Sequence, residues 1–351
     1  MSTCKILSKF PKESDFAFKQ AQHAILRDET CFLIQPEIPM EATKWCNQPV
    51  EFHPLPGEEL SSGMSKNVLA FFSKGVKILC STNGLALCSM FGENEVKFFI
   101  INPATQSWSP IPTHDHLQNS SFYDHKIGFL CDSDGNFMIY HFIDDLVDWS
   151  SYFGCNVYKE GMWKAKERFF SGSRSLRFDM PVYHKGAIHF ISDCSSYLTR
   201  NNPYFRPYIM SYNFEDGKSR MLRIPKEARK TTDSNQSICL VRLRKDVFTV
   251  WVLTEYKSSL WKKILKIRVR AMEVLENDPY QIVVKSFIVL NGELLMFTTE
   301  KKVYLYGFSD NKIHKFWDYE SDFNFLRCIP YIDTLRPCDI GTGNLSLPIH
   351  V

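Results

Sequence analysis

An excess of charge of either sign is nearly missing from this chain. Its 42 Lys and Arg face 39 Asp and Glu, a formal net charge of +3 over 351 residues. So small an excess gives no ground for a nucleic-acid partner or an anionic membrane. Long apolar runs are missing too: no stretch approaches the roughly 18 to 20 residues that cross a bilayer. Residues 1–30 carry Lys5, Lys9, Lys12 and Lys19 without a continuous apolar block, so no signal peptide is read there. The eleven cysteines are an odd count and include no CxxC pair. Without secretory context they read as reduced, mostly buried thiols of a cytoplasmic or nuclear protein. GxSxG, P-loop, HExxH and GxGxxG motifs are absent, as is calcium-loop spacing. No cofactor, metal or bond chemistry is therefore expected.

What is present is aromatic and strand-like. Hydrophobic residues make up 44%, and aromatics 14%, with 28 Phe and 15 Tyr. Such side chains suit a pleated, half-buried surface. A turn followed by an apolar run recurs: Thr82-Asn83-Gly84 before Leu85–Cys88, Ser133-Asp134-Gly135 before Phe137–Tyr140, His184-Lys185-Gly186 before Ala187–Ile191, and Leu290-Asn291-Gly292 before Leu294–Phe297. Glycine lets the chain reverse tightly before each strand. The spacings are 51, 51 and 106 residues, the last being twice 53. A further copy is due near residue 239, and Lys245-Asp246 before Val247–Val252 is the candidate. Each period also carries further strand pairs, as in Val96–Ile101 and Trp108, or Tyr208–Tyr212 and Met221–Ile224.

A repeat of about 40 to 50 residues with about four short strands marks a propeller blade, because one blade cannot bury both faces alone. The 321 residues from Cys31 onward, at about 52 per period, give roughly six blades. The reading is an all-β propeller over residues 31–351, its ring closed by Cys31–Gln35 meeting Tyr331–Leu335. A short helix precedes it, with Ser14 or Asp15 as cap and Phe18, Ala21 and Ile25 at helical spacing. Docking of that helix through Phe16, Phe18 and Ile25, and burial of Trp108, Trp163, Trp251 and Trp261 between blades, are expected.

Several segments resemble plant F-box proteins with a kelch-type F-box-associated domain. Asn102-Pro103-Ala104-Thr105-Gln106-Ser107-Trp108 through Pro112 resembles the family's NPxTxxWxxLP segment, and Ser81–Cys88 the strand before it. Val182–Phe190, Trp251–Tyr256 with Trp261, and Tyr331–Leu335 are similar to later family segments, so the matches span roughly residues 80–335. Phe10–Phe16 resembles the tail that follows an F-box, and residues 1–30 are read as such a tail. The resemblance implies recognition of a protein substrate for an SCF-type ubiquitin ligase, in which partner subunits transfer ubiquitin and a Skp1-type adaptor bridges to the cullin. No Leu-Pro segment that grips Skp1 precedes Phe10, so the chain is expected to bind Skp1 weakly or not at all by itself. Two alternatives remain open, a propeller hydrolase acting on glycans and an adaptor-free protein that sequesters its substrate.

His114-Asp115-His116 offers two imidazoles where a zinc site needs three or four ligands, and reads as a solvated loop. His184 and His189 suit a blade surface. Asp144, Asp145 and Asp148 lie too close together for a glycosidase pair and read as a strand end or loop. Lys262, Lys263, Lys266, Arg268 and Arg270 form the strongest basic run; alternation with Ile267 and Val269 reads as a strand with one wet face. The connection from Ser195 to Tyr208 carries Tyr197, Arg200, Tyr204, Phe205, Arg206 and Tyr208. Aromatic and Arg side chains on a loop offer large contact area at modest entropy cost, so these six are the candidate partner-binding residues.

Overall fold

The computed structural model describes residues 14–26, 30–36, 51–53, 76–91, 96–105, 107–113, 126–132, 136–144, 152–172, 174–178, 181–184, 186–193, 206–225, 227, 233–235, 238–274, 282–290, 292–300, 302–318, 326–336 and 338. Apart from one helix, Ser14–Leu26, and a 3₁₀ turn at Val269–Met272, its long elements are strands.

Five sheets are four-stranded antiparallel meanders. Blade 1 is built from Val76–Thr82, Leu85–Phe91, Val96–Asn102 and Ser107–Ile111, and blade 2 from Ile127–Cys131, Phe137–Asp144, Tyr152–Lys159 and Met162–Phe170. Blade 3 takes Val182–His184, Ala187–Ile191, Tyr208–Asn213 and Ser219–Arg223; blade 4 takes Asp233–Asn235, Cys239–Arg244, Val247–Glu255 and Leu260–Arg268. Blade 5 takes Ser286–Leu290, Leu294–Thr298, Lys302–Gly307 and Ile313–Asp318. The sixth sheet has three strands, Glu51–His53, Thr30–Pro36 and Leu326–Ile332 in that order. The chain therefore makes a β-propeller with five complete blades, where the period pointed to roughly six, and a three-stranded sheet takes the remaining place.

Six apolar clusters account for the ring, one at each junction. Cys31, Leu33, Ile329 and Tyr331 of the closing sheet pack on Val76, Ile78, Ala86 and Cys88 of blade 1. Leu87 and Ile100 meet Ile127 and Phe129, Phe142 and Phe169 meet Phe190 and Tyr212, and Ile209 and Leu222 meet Leu240 and Trp251. Phe248 and Val250 meet Leu295 and Tyr304, and Met296 and Leu305 return to Phe32 and Ile34. Middle strands are thus buried on both faces, which is why they read as continuous apolar runs rather than alternating ones.

Closure pairs the two ends of the chain as expected, with Cys31 opposite Tyr331 and Leu33 opposite Ile329. Only Tyr331 and Ile332 of the expected closing strand segment are in strand; residues 333–336 form a tail held by side chains. Asn102, in the Asn-Pro turn of blade 1, donates to the carbonyls of Thr334 (2.9 Å) and Arg336 (2.5 Å), while its Oδ1 accepts from Tyr331 Oη (3.0 Å) and Ala104 N (2.9 Å). Arg336, itself buried, reaches on to Cys131 Sγ and the Asp132 carbonyl of blade 2. Gln20 of the helix brackets the tail from outside, donating to Asp333 O and accepting from Leu335 N. The deepest-buried residues of the helix are Ala17, Ala21 and Ala24, small residues that let it lie close, while the expected Phe18 and Ile25 are half-buried and Phe16 is 41% exposed.

Two other expectations are corrected. Only Trp251 is fully buried; Trp108, Trp163 and Trp261 are half-buried because they sit on outermost strands. Trp163 Nε1 donates to Pro112 O (2.6 Å) and Trp261 Nε1 to Arg223 O (2.7 Å), each tying an outer strand to the preceding blade. The turn due near residue 239 is the one between Asn235 and Cys239, where the spacing put it. Lys245-Asp246 instead joins the second and third strands of blade 4 and opens at the other end of the ring.

Candidate partner-binding surface

A meander sorts its connections. Turns between first and second and between third and fourth strands fall at one end of the ring, together with the N-terminal helix and the 333–336 tail. Connections between second and third strands and from blade to blade fall at the opposite end. That end receives the long spans 112–126, 171–181, 192–207 and 269–285. Binding residues concentrate on connections held by a rigid scaffold, which makes the long-connection end the candidate surface.

The 192–207 connection rises from a buried clamp between blades 2 and 3. Ser192 and Tyr208 close its base: Ser192 N donates to Tyr208 O (2.9 Å) and Tyr208 N to Ser192 Oγ (3.0 Å). Alongside runs residues 174–178, joined by Arg177 N to Ile191 O and Asp193 N to Ser175 O, both 2.8 Å. Arg174 donates through Nη1 to Asp193 Oδ1 (2.6 Å) and to Asp193 O (2.9 Å). The Arg174 side chain is 1% exposed and that of Asp193 21%. A charge buried so deeply persists only with a close counter-charge and satisfied donors. Tyr208 Oη completes the clamp, donating to Ser171 O (2.8 Å) and accepting from Arg174 N (3.2 Å).

This geometry divides the six candidate residues. Tyr197, Arg200, Tyr204 and Phe205 lie outside the described residues. Arg206 is exposed at the foot of the connection. Tyr208 is buried at 4% exposure with its hydroxyl bonded on both sides, so it is a support for the loop and not a contact offered to a partner. The same end shows groups that the sequence reading missed. Tyr152 is 48% exposed at the start of its strand, edge-on to Phe170. Lys126 lies over the rings of Phe153 (5.1 Å) and Phe178 (5.9 Å). The signal available for them was the apolar-polar alternation of Leu176-Arg177-Phe178 between the strands of blades 2 and 3.

His114, Asp115, His116, Asp145 and Asp148 lie outside the described residues, and Asp144 ends a strand of blade 2. His189 is buried, not on a blade surface: Nδ1 faces Val182 O (3.1 Å) and Nε2 faces Tyr256 Oη (2.8 Å), which also meets Ser211 Oγ (2.6 Å). With Nδ1–H donating to the carbonyl, the neutral ring accepts the tyrosine proton at Nε2. Burial lowers its pKa to about 4, a shift that its backbone bond to Val182 only partly opposes. Cys131, Cys155, Cys239 and Cys328 are pushed up to about 11 or 12 by burial, so they are inert thiols rather than nucleophiles. Among the described residues no group of three or more His, Cys, Asp or Glu could hold a metal ion, and no helix is long and apolar enough to cross a membrane.

Comparison with known proteins agrees with this architecture. A family model described as "F-box protein At3g26010-like, beta-propeller" matches residues 39–289. F-box protein At5g49610 of Arabidopsis thaliana is 22% identical over 272 residues, covering 70% of this chain and 69% of the relative. Among solved structures, TolB from Acinetobacter baumannii aligns with a TM-score of 0.49 at 12% identity, over 86% of this chain and 66% of its own. A chain of the nidogen/laminin complex aligns with a TM-score of 0.44 at 12% identity, over 87% of this chain and 99% of its own. The Asn102 turn and the Tyr331 tail that carried the resemblance are the parts that lock the ring, and the chain belongs to the family of F-box protein At3g26010-like β-propellers.

Proposed function

We propose that this propeller is a substrate-recognition module serving an SCF-type ubiquitin ligase, with the protein substrate held at the long-connection end of blades 2 and 3. Family membership supports a protein-interaction role. The observation that carries the placement is the Arg174–Asp193–Tyr208 clamp. A buried ion pair is an expensive way to hold a loop base, and it makes sense where the loop must be presented in one orientation. The N-terminal helix lies at the opposite end of the ring, so a substrate held here stays clear of anything attached ahead of that helix. In this reading the chain supplies affinity and orientation while bond chemistry belongs to partner subunits.

The test is affinity capture from plant tissue with the chain as bait, scored for a Skp1-type adaptor and for other partners. Replacing Tyr204, Phe205 and Arg206 together with alanine should remove the substrate while leaving thermal stability and any adaptor signal unchanged. Capture that survives the triple replacement would move the site elsewhere.

A further inference from the structure

The small net charge of the whole chain conceals a segregation. Residues 218–270 contain fifteen Lys and Arg against four Asp and Glu, a net +11, so the remaining residues together carry −8. This segment is the outer strand of blade 3, its connection onward and all of blade 4.

Register shows where the charge gathers. Arg242 pairs with Thr249 and Thr249 with Lys266; Arg244 pairs with Val247 and Val247 with Arg268. Directly opposed residues share a face, as do residues two apart, so Arg242, Arg244, Lys266 and Arg268 stand on one face of blade 4. Trp251 pairs with Lys263 on that face, and Lys263 Nζ lies 6.0 Å from the Trp251 ring centre. A bulge after Val250 brings Lys263 onto this side. Strand geometry sets the array at about 7 Å along each strand and about 10 Å across the middle strand. It lies at the long-connection end, on the side towards blade 3.

Acid is scarce around it. Among the described residues only Lys263 of the five has a carboxylate at ion-pair distance, Glu227 at 2.6 Å. The Glu227 carbonyl also accepts from Arg242 Nη1, yet Arg242 Nε is buried with no hydrogen-bond acceptor. Burial and the neighbouring Arg244 lower the Arg242 pKa and the Glu227 carboxylate only partly opposes them, so this guanidinium is incompletely compensated. Arg244, Lys266 and Arg268 are exposed. Like charges held this close cost stability in the free protein, a cost that an anionic partner would reverse.

We propose that this face of blade 4 binds an extended acidic segment of a partner protein, with carboxylates at alternate positions. Alternate side chains of an extended peptide project about 7 Å apart, matching Arg242 to Arg244 and Lys266 to Arg268. Single-stranded nucleic acid fits less well, because it takes aromatic platforms as well as cations. The described aromatics on this side are Trp251, which is buried, Trp261, half-buried with its Nε1 on Arg223 O, and Tyr256, whose hydroxyl is held by His189 and Ser211 of blade 3.

The proposal rests on the reading of the chain as a partner-binding module, but its test needs neither adaptor nor the 192–207 connection. A labelled extended peptide alternating glutamate with serine is titrated against the whole chain by fluorescence anisotropy. Binding that weakens with added salt is expected. Arg244→Gln with Arg268→Gln should weaken it by about tenfold or more without lowering Tm, while Lys159→Gln with Lys164→Gln, on blade 2, should leave it unchanged. Absence of binding, equal loss in both double variants, or undiminished binding by the first would overturn the proposal. So would a single-stranded oligonucleotide that displaces the peptide at lower concentration than free peptide does. Loss of tissue capture in the Tyr204–Arg206 variant with peptide binding intact would separate the two surfaces.

Discussion

Gly84 shows how much one position in this ring can hold. Its φ is +84°, and a Cβ there would overlap Thr334 Oγ1 in the locked tail. Gly161 has nearly the same φ, +82°, with nothing within 4 Å. Alanine at both positions meets the same backbone strain, so the difference measures the packing. Gly161→Ala should cost about 1 kcal/mol and Gly84→Ala about 3 kcal/mol, read from denaturant midpoints. Equal costs would mean that the tail yields easily. Asn102 is a second such residue, since its amide faces two carbonyls. In Asn102→Asp a carboxylate would replace those donors, and a loss on the order of 3 kcal/mol or more is expected, exceeding that of Asn102→Ala.

His189 gives the same scale a pH dependence. Its folded pKa, about 4, is below the ordinary value of 6.5, so the unfolded chain binds the proton more readily. The stability it contributes is therefore whole above pH 6.5 and is lost as pH falls towards 4. Up to about 3 kcal/mol is at stake over that window. In His189→Gln the acid limb of the stability profile should flatten by that order; an unchanged slope between pH 6.5 and 4 would show that the ring is protonated without cost.

At the scale of elements, the clamp and the bulge matter most. Arg174→Ala leaves Asp193 without its counter-charge and frees the Ser192–Tyr208 base. A loss of about 3 kcal/mol is expected, with faster hydrogen exchange at the Ser192 and Tyr208 amides than in blade 5. If exchange rises equally everywhere, the clamp is no more than part of the general fold. The outer-strand bulge of blade 4 is a comparable device: without it Lys263 would turn away from Glu227 and Trp251. Neither device was legible from the chain. The residues 174–178 that pair with the loop base are separated from it by a whole hairpin, and a bulge adds one residue with no composition of its own.

At the scale of the molecule, ring closure couples everything. Seven residue pairs join Thr30–Pro36 to Leu326–Ile332, and the Gln35 side chain crosses to blade 1, donating to Val76 O (2.7 Å) and accepting from Ile78 N (3.0 Å). Leu33→Asp buries an unpaired charge at that seam. It should lower the stability of the whole ring in one transition, with amides of blade 3, on the far side, losing protection together with those of blade 1. Protection that persists in blade 3 alone would show that the blades unfold separately.

The amino-acid order by itself determined the period, the strands and the helix near the N-terminus, because each depends on neighbours within a hairpin or a helical turn, and the strand-like segments at both ends of the repeat array pointed to their pairing. It placed a turn near residue 239 correctly and then named the wrong pair, Lys245-Asp246, since a polar pair before an apolar run reads alike at either end of a blade and only pairing tells the two ends apart. Packing between blades was decided by the tertiary structure: three half-buried tryptophans, an alanine face on the helix, Tyr208 drawn under its loop and His189 drawn inside. The gathering of five cations on one face of blade 4 belongs with these. The residues were countable in the chain, but Arg244 and Arg268 come to stand across one middle strand only when three strands are set in register.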